Sequence, residues 1–257
     1  TADGRDASGE VWFDDLNVPP EKMGAAPVAH LSQPPARNVR LHNSHKGSYG
    51  DVAVIGGASG MVGAALLAAT AALTSGAGRV FVALLAPDGL KVDPSCPELM
   101  FRRIEELDLR HTTLVCGCGG GTAVEASLFQ VLRTPAPVVL DADAINSIAF
   151  NPTLAALVRE RFNDGWSTVL TPHPLEAARL LHTTTQAVQQ DRLGAAKALT
   201  EQLRCTVVVK GSGTVIAHPG RTPVINCSGN ARLATAGTGD VLAGMIGARL
   251  SGGMDAF

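Results

Sequence analysis

From residue 51 onward the chain alternates short apolar runs rich in valine and leucine with longer segments whose apolar positions recur at helical spacing. The runs at 51–55, 79–85, 113–116, 138–140, 168–170 and 206–209 predict strands. Unbroken apolar runs of this kind suit a sheet covered on both faces. Helices are predicted over 63–75, after the glycines at 117–121, over 144–149, from 175 and over 188–203. A tight turn at 211–213 returns as 214–217, which predicts a hairpin. Strands alternating with helices define an α/β chain with a mainly parallel central sheet and helices on both faces. Ligands of such sheets gather at the carboxyl ends of the strands. The turns around Gly56, Gly119, Asp141, His173 and Lys210 should therefore line one rim.

The stretch 226–251, NCSGNARLATAGTGDVLAGMIGARLS, should face that rim. Turn formers lead into Ala236-Gly237-Thr238-Gly239-Asp240. Val241, Leu242, Met245, Ile246 and Leu250 then predict a helix with an apolar face. A glycine-rich loop feeding a helix leaves several N–H groups unpaired and aimed at one point. The helix dipole adds about half a positive charge there, which suits a phosphate. Gly237 and Gly239 let the backbone approach such an anion closely. Asp240 could simply answer the dipole. Several glycines before one acid exceed what capping requires, so Asp240 reads as a general base. It would take a proton from a substrate hydroxyl while the amides hold the arriving phosphoryl group.

Composition narrows the partners. A net charge of −2 without a clustered basic run excludes a nucleic-acid footprint. The longest apolar run, 61–73, is too short and too rich in alanine to span a bilayer, so no membrane partner is expected. Five scattered cysteines read as reduced thiols of a cytoplasmic protein, and Cys116 and Cys118 lack a second pair at zinc-site spacing. The acidic start is no signal peptide. Beginning at Thr1 is expected of a fragment or a processed product. Prolines at 19, 20, 27, 34 and 35 break up residues 1–43, where VWF at 11–13 is the one strand-like piece. That region reads as a linker or the end of another domain, and the compact domain as residues 44–257.

The remaining candidates are open on residues alone. The glycines at 56–63 miss the G-x-G-x-x-G spacing, and helix–sheet packing or substrate contact explains them better than a dinucleotide fold. Lys210, with Gly211, Ser212, Gly213 and Thr214, is either a solvated charge before a turn or a phosphate-binding loop; the order is not that of a P-loop. His173, held between two prolines, bonds a backbone group or touches substrate. Asp141 and Asp143 could hold a metal or structure a turn.

Together, HKGSYG, VIGGASGMVGAA, PELM, VLDADAIN, LTPHPLEAARLL, VVKGSGTVIA and GNARLATAGTGDVLAGMIGA resemble the ADP/ATP-dependent NAD(P)H-hydrate dehydratase family, from residue 44 to the end. The resemblance implies a ribokinase-like fold and a repair reaction. A hydroxyl on the nicotinamide ring of hydrated NADH or NADPH, NAD(P)HX, is phosphorylated by ADP or ATP, with Mg²⁺ accompanying the nucleotide. Loss of the phosphate then restores the double bond. Asp240 would be the base and contact the substrate, as would Ala64, Gly119 and His173. Lys210, Gly211, Ser212, Gly213 and Thr214 would cradle the nucleotide with Gly237, Thr238 and Gly239. No residue is assigned to a metal, and a homo-oligomer is expected. Cys118 stands where the family often has proline, Leu175 where it has glycine, and Arg232 and Ala236 at positions usually glycine. Arg232 adds charge near the nucleotide loop, so these departures bear on affinity more than on chemistry. The resemblance also implies that residues 1–43 end an N-terminal hydrate epimerase domain of a bifunctional protein, and that the last helices of the dehydratase domain are missing. The alternatives are a small-molecule kinase of this superfamily, such as a hydroxymethylpyrimidine kinase, and a silent nucleotide-binding module.

Overall fold

A computed structural model of the chain describes residues 40–257 throughout, together with 7–9, 12, 14–19, 22, 24 and 26–34. In chain order its elements are β1 (His30–Leu31), β2 (Asp51–Gly56), α1 (Val62–Thr74), β3 (Arg79–Leu84), β4 (Met100–Phe101), β5 (Thr113–Cys116) and α2 (Val124–Val131). Then come β6 (Val138–Leu140), α3 (Asp143–Phe150), α4 (Pro152–Asn163), β7 (Thr168–Leu170), α5 (Pro174–Leu180) and α6 (Thr185–Gln190). The last are α7 (Arg192–Leu203), β8 (Thr206–Val209), β9 (Val215–Ala217), β10 (Val224–Ile225) and α8 (Thr238–Ser251).

These strands form one sheet in the order β1-β10-β9-β8-β7-β6-β5-β2-β3-β4. From β8 to β4 every pairing is parallel, as the unbroken apolar runs predict. The expected hairpin is the antiparallel pair β8–β9. Register fixes the rim. Ile55, Cys116, Leu140, Leu170 and Val207 form one row across five neighbouring strands. The turns that follow these strands therefore leave the sheet at nearly the same level.

The two faces are covered differently. One carries α2 to α7 over larger aliphatics such as Leu128, Ile145, Leu154 and Leu199. The other carries α1 and α8 over Ala65, Ala68, Ala69, Ala243 and Ala248. The expected apolar face of α8 is corrected at Met245 and extended by small residues. Its buried residues are Ala243, Gly244, Gly247, Ala248 and Leu250, whereas Met245 is 44% exposed. The reason is close packing: a Cβ on Gly244 would collide with the Ala68 carbonyl of α1, so the buried stripe is mostly small residues, with Leu250 at its end and Leu242 and Ile246 packed partly buried beside it.

Three further differences have local causes. The single helix expected over 188–203 is two, because Asp191 leaves the helical region (φ −139°, ψ 75°) and its side chain caps Gly194 N–H at the start of α7. Helix α4, which the apolar pattern did not reveal, begins where Asn151 accepts from Thr153 N–H and Pro152 presets the first turn. The edge strands β1 and β4, and β10 beside β1, are only two residues long and too short to show a period. Of the strand-like residues 11–13, Val11 and Phe13 lie outside the described residues, and Trp12 is exposed.

Candidate active site

Helix α8 starts at Gly237, whose φ of 87° turns the preceding loop into the helix. No side chain caps this end. Thr238 spends its hydroxyl on the Leu233 and Thr235 carbonyls, which ties the loop to the helix start and leaves the first-turn amides open. Asp240 lies in that open turn, half-buried.

Asp240 does not stand alone. Its carboxylate, that of Asp141 and the Cys118 sulfur all offer atoms within 4.8 Å of one another. Burial pushes the Asp240 carboxyl above its ordinary range, and Asp141 pushes it further. The Cys118 side chain, hydrogen-bonded to Asp240, pulls the other way, as does Lys210. A carboxylate raised by burial is a better proton acceptor than a solvated aspartate.

Asp141, 1% exposed, is held on one oxygen. Oδ1 accepts from Lys210 Nζ at 2.7 Å and from Thr171 Oγ1 at 2.6 Å. The next residue, Ala142, adopts φ 51°, ψ −113°, a conformation an L side chain takes only under constraint. That kink sends the two aspartates apart. Asp143 turns away and accepts from Gly121 N–H at 2.8 Å. Asp141 and Asp143 thus do not converge on a metal, and Asp143 structures a turn.

Lys210 is no solvated charge. Its backbone N–H donates to the Pro172 carbonyl, and its ammonium also lies 3.9 Å from Glu176 Oε2. A Cβ on Gly239 would stand 3.2 Å from Lys210 Nζ and 3.7 Å from Asp141 Oδ2, which places the hairpin lysine against the α8 loop. Gly211 (φ 146°) and Gly213 (φ 70°) shape the turn beyond it. Thr214 Oγ1 closes the turn on Gly211, and Arg192 of α7 donates to the Ser212 carbonyl from below. Lys210, Gly211, Ser212, Gly213, Thr214, Gly237, Thr238 and Gly239 thus line one side of the rim around Asp240.

Ala64 and Gly119 meet on the other side, where a Cβ on Gly119 would lie 2.9 Å from that of Ala64. Gly57 and Ala58 donate to the Cys118 and Gly119 carbonyls, so the glycines after β2 serve close approach of two loops. His173 makes the backbone bonds that one of its alternatives predicts. Nδ1 accepts from Leu175 and Glu176 N–H, capping α5, and Glu176 answers by accepting from His173 N–H. Burial, and then Lys210, lower the His173 pKa, consistent with an accepting, neutral ring. Its Nε2 lies 3.3 Å from Glu176 Oε1, and the side chain as a whole is half-exposed.

Two contributors escaped the sequence reading. Glu176, 3% exposed, is pushed up to about 7 by burial. Its place three residues after His173, with Pro174 at the first helical position, carries a capping-box signal, which could have located it. Arg192 has no local signal; only the fold brings α7 under the 210–214 turn.

Asp141 and Asp240 supply hard oxygen donors, as Mg²⁺ requires, but Lys210 already answers one Asp141 oxygen. Cys118, its thiol pushed well up by burial, stays neutral and is no ligand for such an ion. The residues fit a magnesium ion carried mainly by nucleotide phosphates and not a closed protein cage.

The topology first defines a class, the ribokinase-like α/β fold. A ribokinase-like superfamily protein from Enterococcus faecalis superposes with a TM-score of 0.68 at 28% identity, covering 83% of this chain and 75% of that one. The ADP/ATP-dependent NAD(P)H-hydrate dehydratase of Bacillus subtilis, co-crystallised with ATP/Mg²⁺, superposes with a TM-score of 0.67 at 30% identity, covering 83% and 76%. Residues 52–257 match the NAD(P)H-hydrate dehydratase family. The chain is 40% identical to the ADP-dependent (S)-NAD(P)H-hydrate dehydratase of Neisseria meningitidis over 90% of its own length and 83% of that protein's. It is 35% identical to the bifunctional NAD(P)H-hydrate repair enzyme of Escherichia coli over 97% of its length, but spans 49% of that protein. This chain belongs to the NAD(P)H-hydrate dehydratase family.

Proposed function

We propose that the chain dehydrates NADHX and NADPHX back to NADH and NADPH at the expense of ADP or ATP. The observation that carries this reading is the half-buried Asp240 carboxylate in the uncapped first turn of α8, next to Lys210 and Asp141. The ring hydroxyl of the substrate would lie against Asp240 and the nucleotide on Lys210 to Thr214, with its terminal phosphoryl group at the α8 amides. Asp240 takes the hydroxyl proton as the oxygen attacks phosphorus and the bond to the nucleotide's leaving phosphate breaks. The amides and Lys210 hold the charge on the transferring group. Asp141 and Asp240 would be the residues to hold a magnesium ion brought by the nucleotide, which would supply neutralisation of phosphate charge. The ring C–O bond then breaks, phosphate departs with the bonding pair, and the neighbouring ring carbon loses a proton to water to restore the double bond. Ala64, Gly119 and the exposed edge of His173 line the substrate's approach.

A small kinase substrate and a hydrated nicotinamide ring would both fit beside Ala64 and Gly119, so the dehydratase reading is supported over a simple kinase by the family match and the 40% identical relative. The hydroxyethylthiazole kinase of Pyrococcus horikoshii, 18% identical, shares the fold alone. The assay is direct. The protein is incubated with NADHX, Mg²⁺ and either nucleotide, following absorbance of reduced nicotinamide and released phosphate. Both signals should rise together. A stable phosphorylated product would favour the kinase, and nucleotide binding without turnover would favour a silent module.

The same reading includes a homo-oligomer. Leu67 on α1 and Met245 on α8, exposed on packed neighbouring helices, are apolar surface that such an assembly would cover. It includes a cytoplasmic setting, since five cysteines form no disulfide among the described residues. No described helix is long and apolar enough to cross a membrane. We also read residues 1–43 as the tail of an epimerase domain, supported by the bifunctional relatives.

A further inference from the structure

A cleft of about 390 Å³ opens beside the proposed site, on the α2/α3 side of the sheet edge. Gly121, Glu125, Asp143, Asn146, Ser147 and Phe150 line it. That volume falls within the range of about 300–1,000 Å³ usual for small-molecule sites. Its walls continue the two loops that flank the reacting centre. Gly121 lies two residues beyond Gly119, and Asp143 two residues beyond Asp141, so each wall starts within about 7 Å of a site residue along the backbone. A dinucleotide is too long to be held at Asp240 alone, and this cleft is where the edge of the sheet offers further room.

The lining has a definite chemistry. Asp143 is fixed by Gly121 N–H through Oδ2, and Asn146 Nδ2 lies 3.5 Å from Oδ1. Its outer oxygen lone pairs are set to accept from a pair of hydroxyls, as a ribose diol presents. Phe150 is 76% exposed at the cleft, an apolar ring in water that a purine face would cover. Glu125, exposed and bonded to Asn151 Nδ2, adds a second carboxylate. No lysine or arginine lines the cleft; Arg179 reaches Asn146 Oδ1 from behind.

We propose that this cleft is the subsite for the second nucleoside of the dinucleotide, with Asp143 accepting from its ribose hydroxyls and Phe150 stacking on its base. The proposal rests on the dehydratase reading. Two carboxylates without a cation oppose a 2′-phosphate, so the subsite selects the NAD form over the NADP form.

The test uses NADH and NADPH, the products of the proposed reaction, titrated by fluorescence into the full chain with saturating ADP. NADH should bind about tenfold tighter than NADPH. Asp143→Asn and Glu125→Gln should each shrink that ratio, and Phe150→Ala should weaken both by about tenfold. Equal affinity in the parent, or a ratio that neither variant moves, overturns the subsite. Should Asp143→Asn fail to fold through loss of its bond to Gly121, the exposed Glu125→Gln decides alone. Normal NADHX turnover with an unmoved ratio sinks only the subsite, whereas absence of NADHX turnover in the parent sinks the dehydratase reading with it.

Discussion

Lys210 Nζ lies 2.7 Å from Asp141 Oδ1, which makes this lysine the counter-charge of a buried carboxylate, in addition to the phosphate role proposed for it. Asp141 sits at the end of β6 and Lys210 at the end of β8, so the ion pair bridges the turns after two strands across the β7 turn that separates them. The pair also holds Lys210 against Gly239, where the loop of α8 arrives. One contact thereby fixes the hairpin, the sheet edge and the helix start relative to one another.

Removing the lysine should expose both roles. Lys210→Met leaves Asp141 buried without its partner and should lower stability by about 3 kcal/mol, read as a shift in denaturation midpoint. Nucleotide affinity should fall too. In Lys210→Met/Asp141→Asn much of the stability should return while affinity stays weak, because the second change removes the stranded charge and not the lost phosphate contact. An unchanged nucleotide dissociation constant in Lys210→Met would remove the lysine from the site.

Glu176 gives a pH signature. Burial raises its folded-state pKa to about 7, above the ordinary 4.5 of the unfolded chain. Below about pH 4.5 both states hold the proton, and its stabilising effect is whole. As pH rises towards 7 the unfolded chain releases the proton first, so stability is progressively lost, by up to about 3 kcal/mol. Glu176→Gln should abolish this component. The stability difference between parent and variant should grow from pH 4.5 to 7 and level off above; a difference flat across that window would contradict the buried, protonated carboxyl.

The thiols report on the wall behind Asp240. Cys118 is 0% exposed and its thiol is pushed well up by burial, whereas Cys227 is exposed. In the native protein a thiol reagent should label Cys227 first and leave Cys118, Cys116 and Cys205 unlabelled until denaturant is added. Rapid native labelling of Cys118, located by peptide mapping, would show that the wall opens.

Much of this architecture was legible in the chain. The runs at 113–116, 138–140, 168–170 and 206–209 match β5, β6, β7 and β8 residue for residue, since buried parallel strands leave unbroken apolar signals. The glycine loop and acid at 237–240 announced the α8 start because capping alone did not require them. What stayed hidden depends on distant residues. The inward face of α8 is set by how closely Ala68 approaches Gly244, and no periodicity of large apolar residues records that. The divergence of Asp141 and Asp143 comes from the unusual backbone of Ala142, a residue with no turn signal of its own. The Cys118 contact joins the turn after β5 to α8, more than a hundred residues later in the chain.

The Asp240 carboxylate is the proposed acceptor of the proton that lets the phosphoryl group move. Asp240→Asn keeps the shape and removes the base, so its NADHX turnover and its ADP and ATP dissociation constants should be measured on one preparation. Turnover should fall about 10²- to 10⁴-fold with nucleotide affinity nearly unchanged. Turnover within a few fold of the parent would contradict the account.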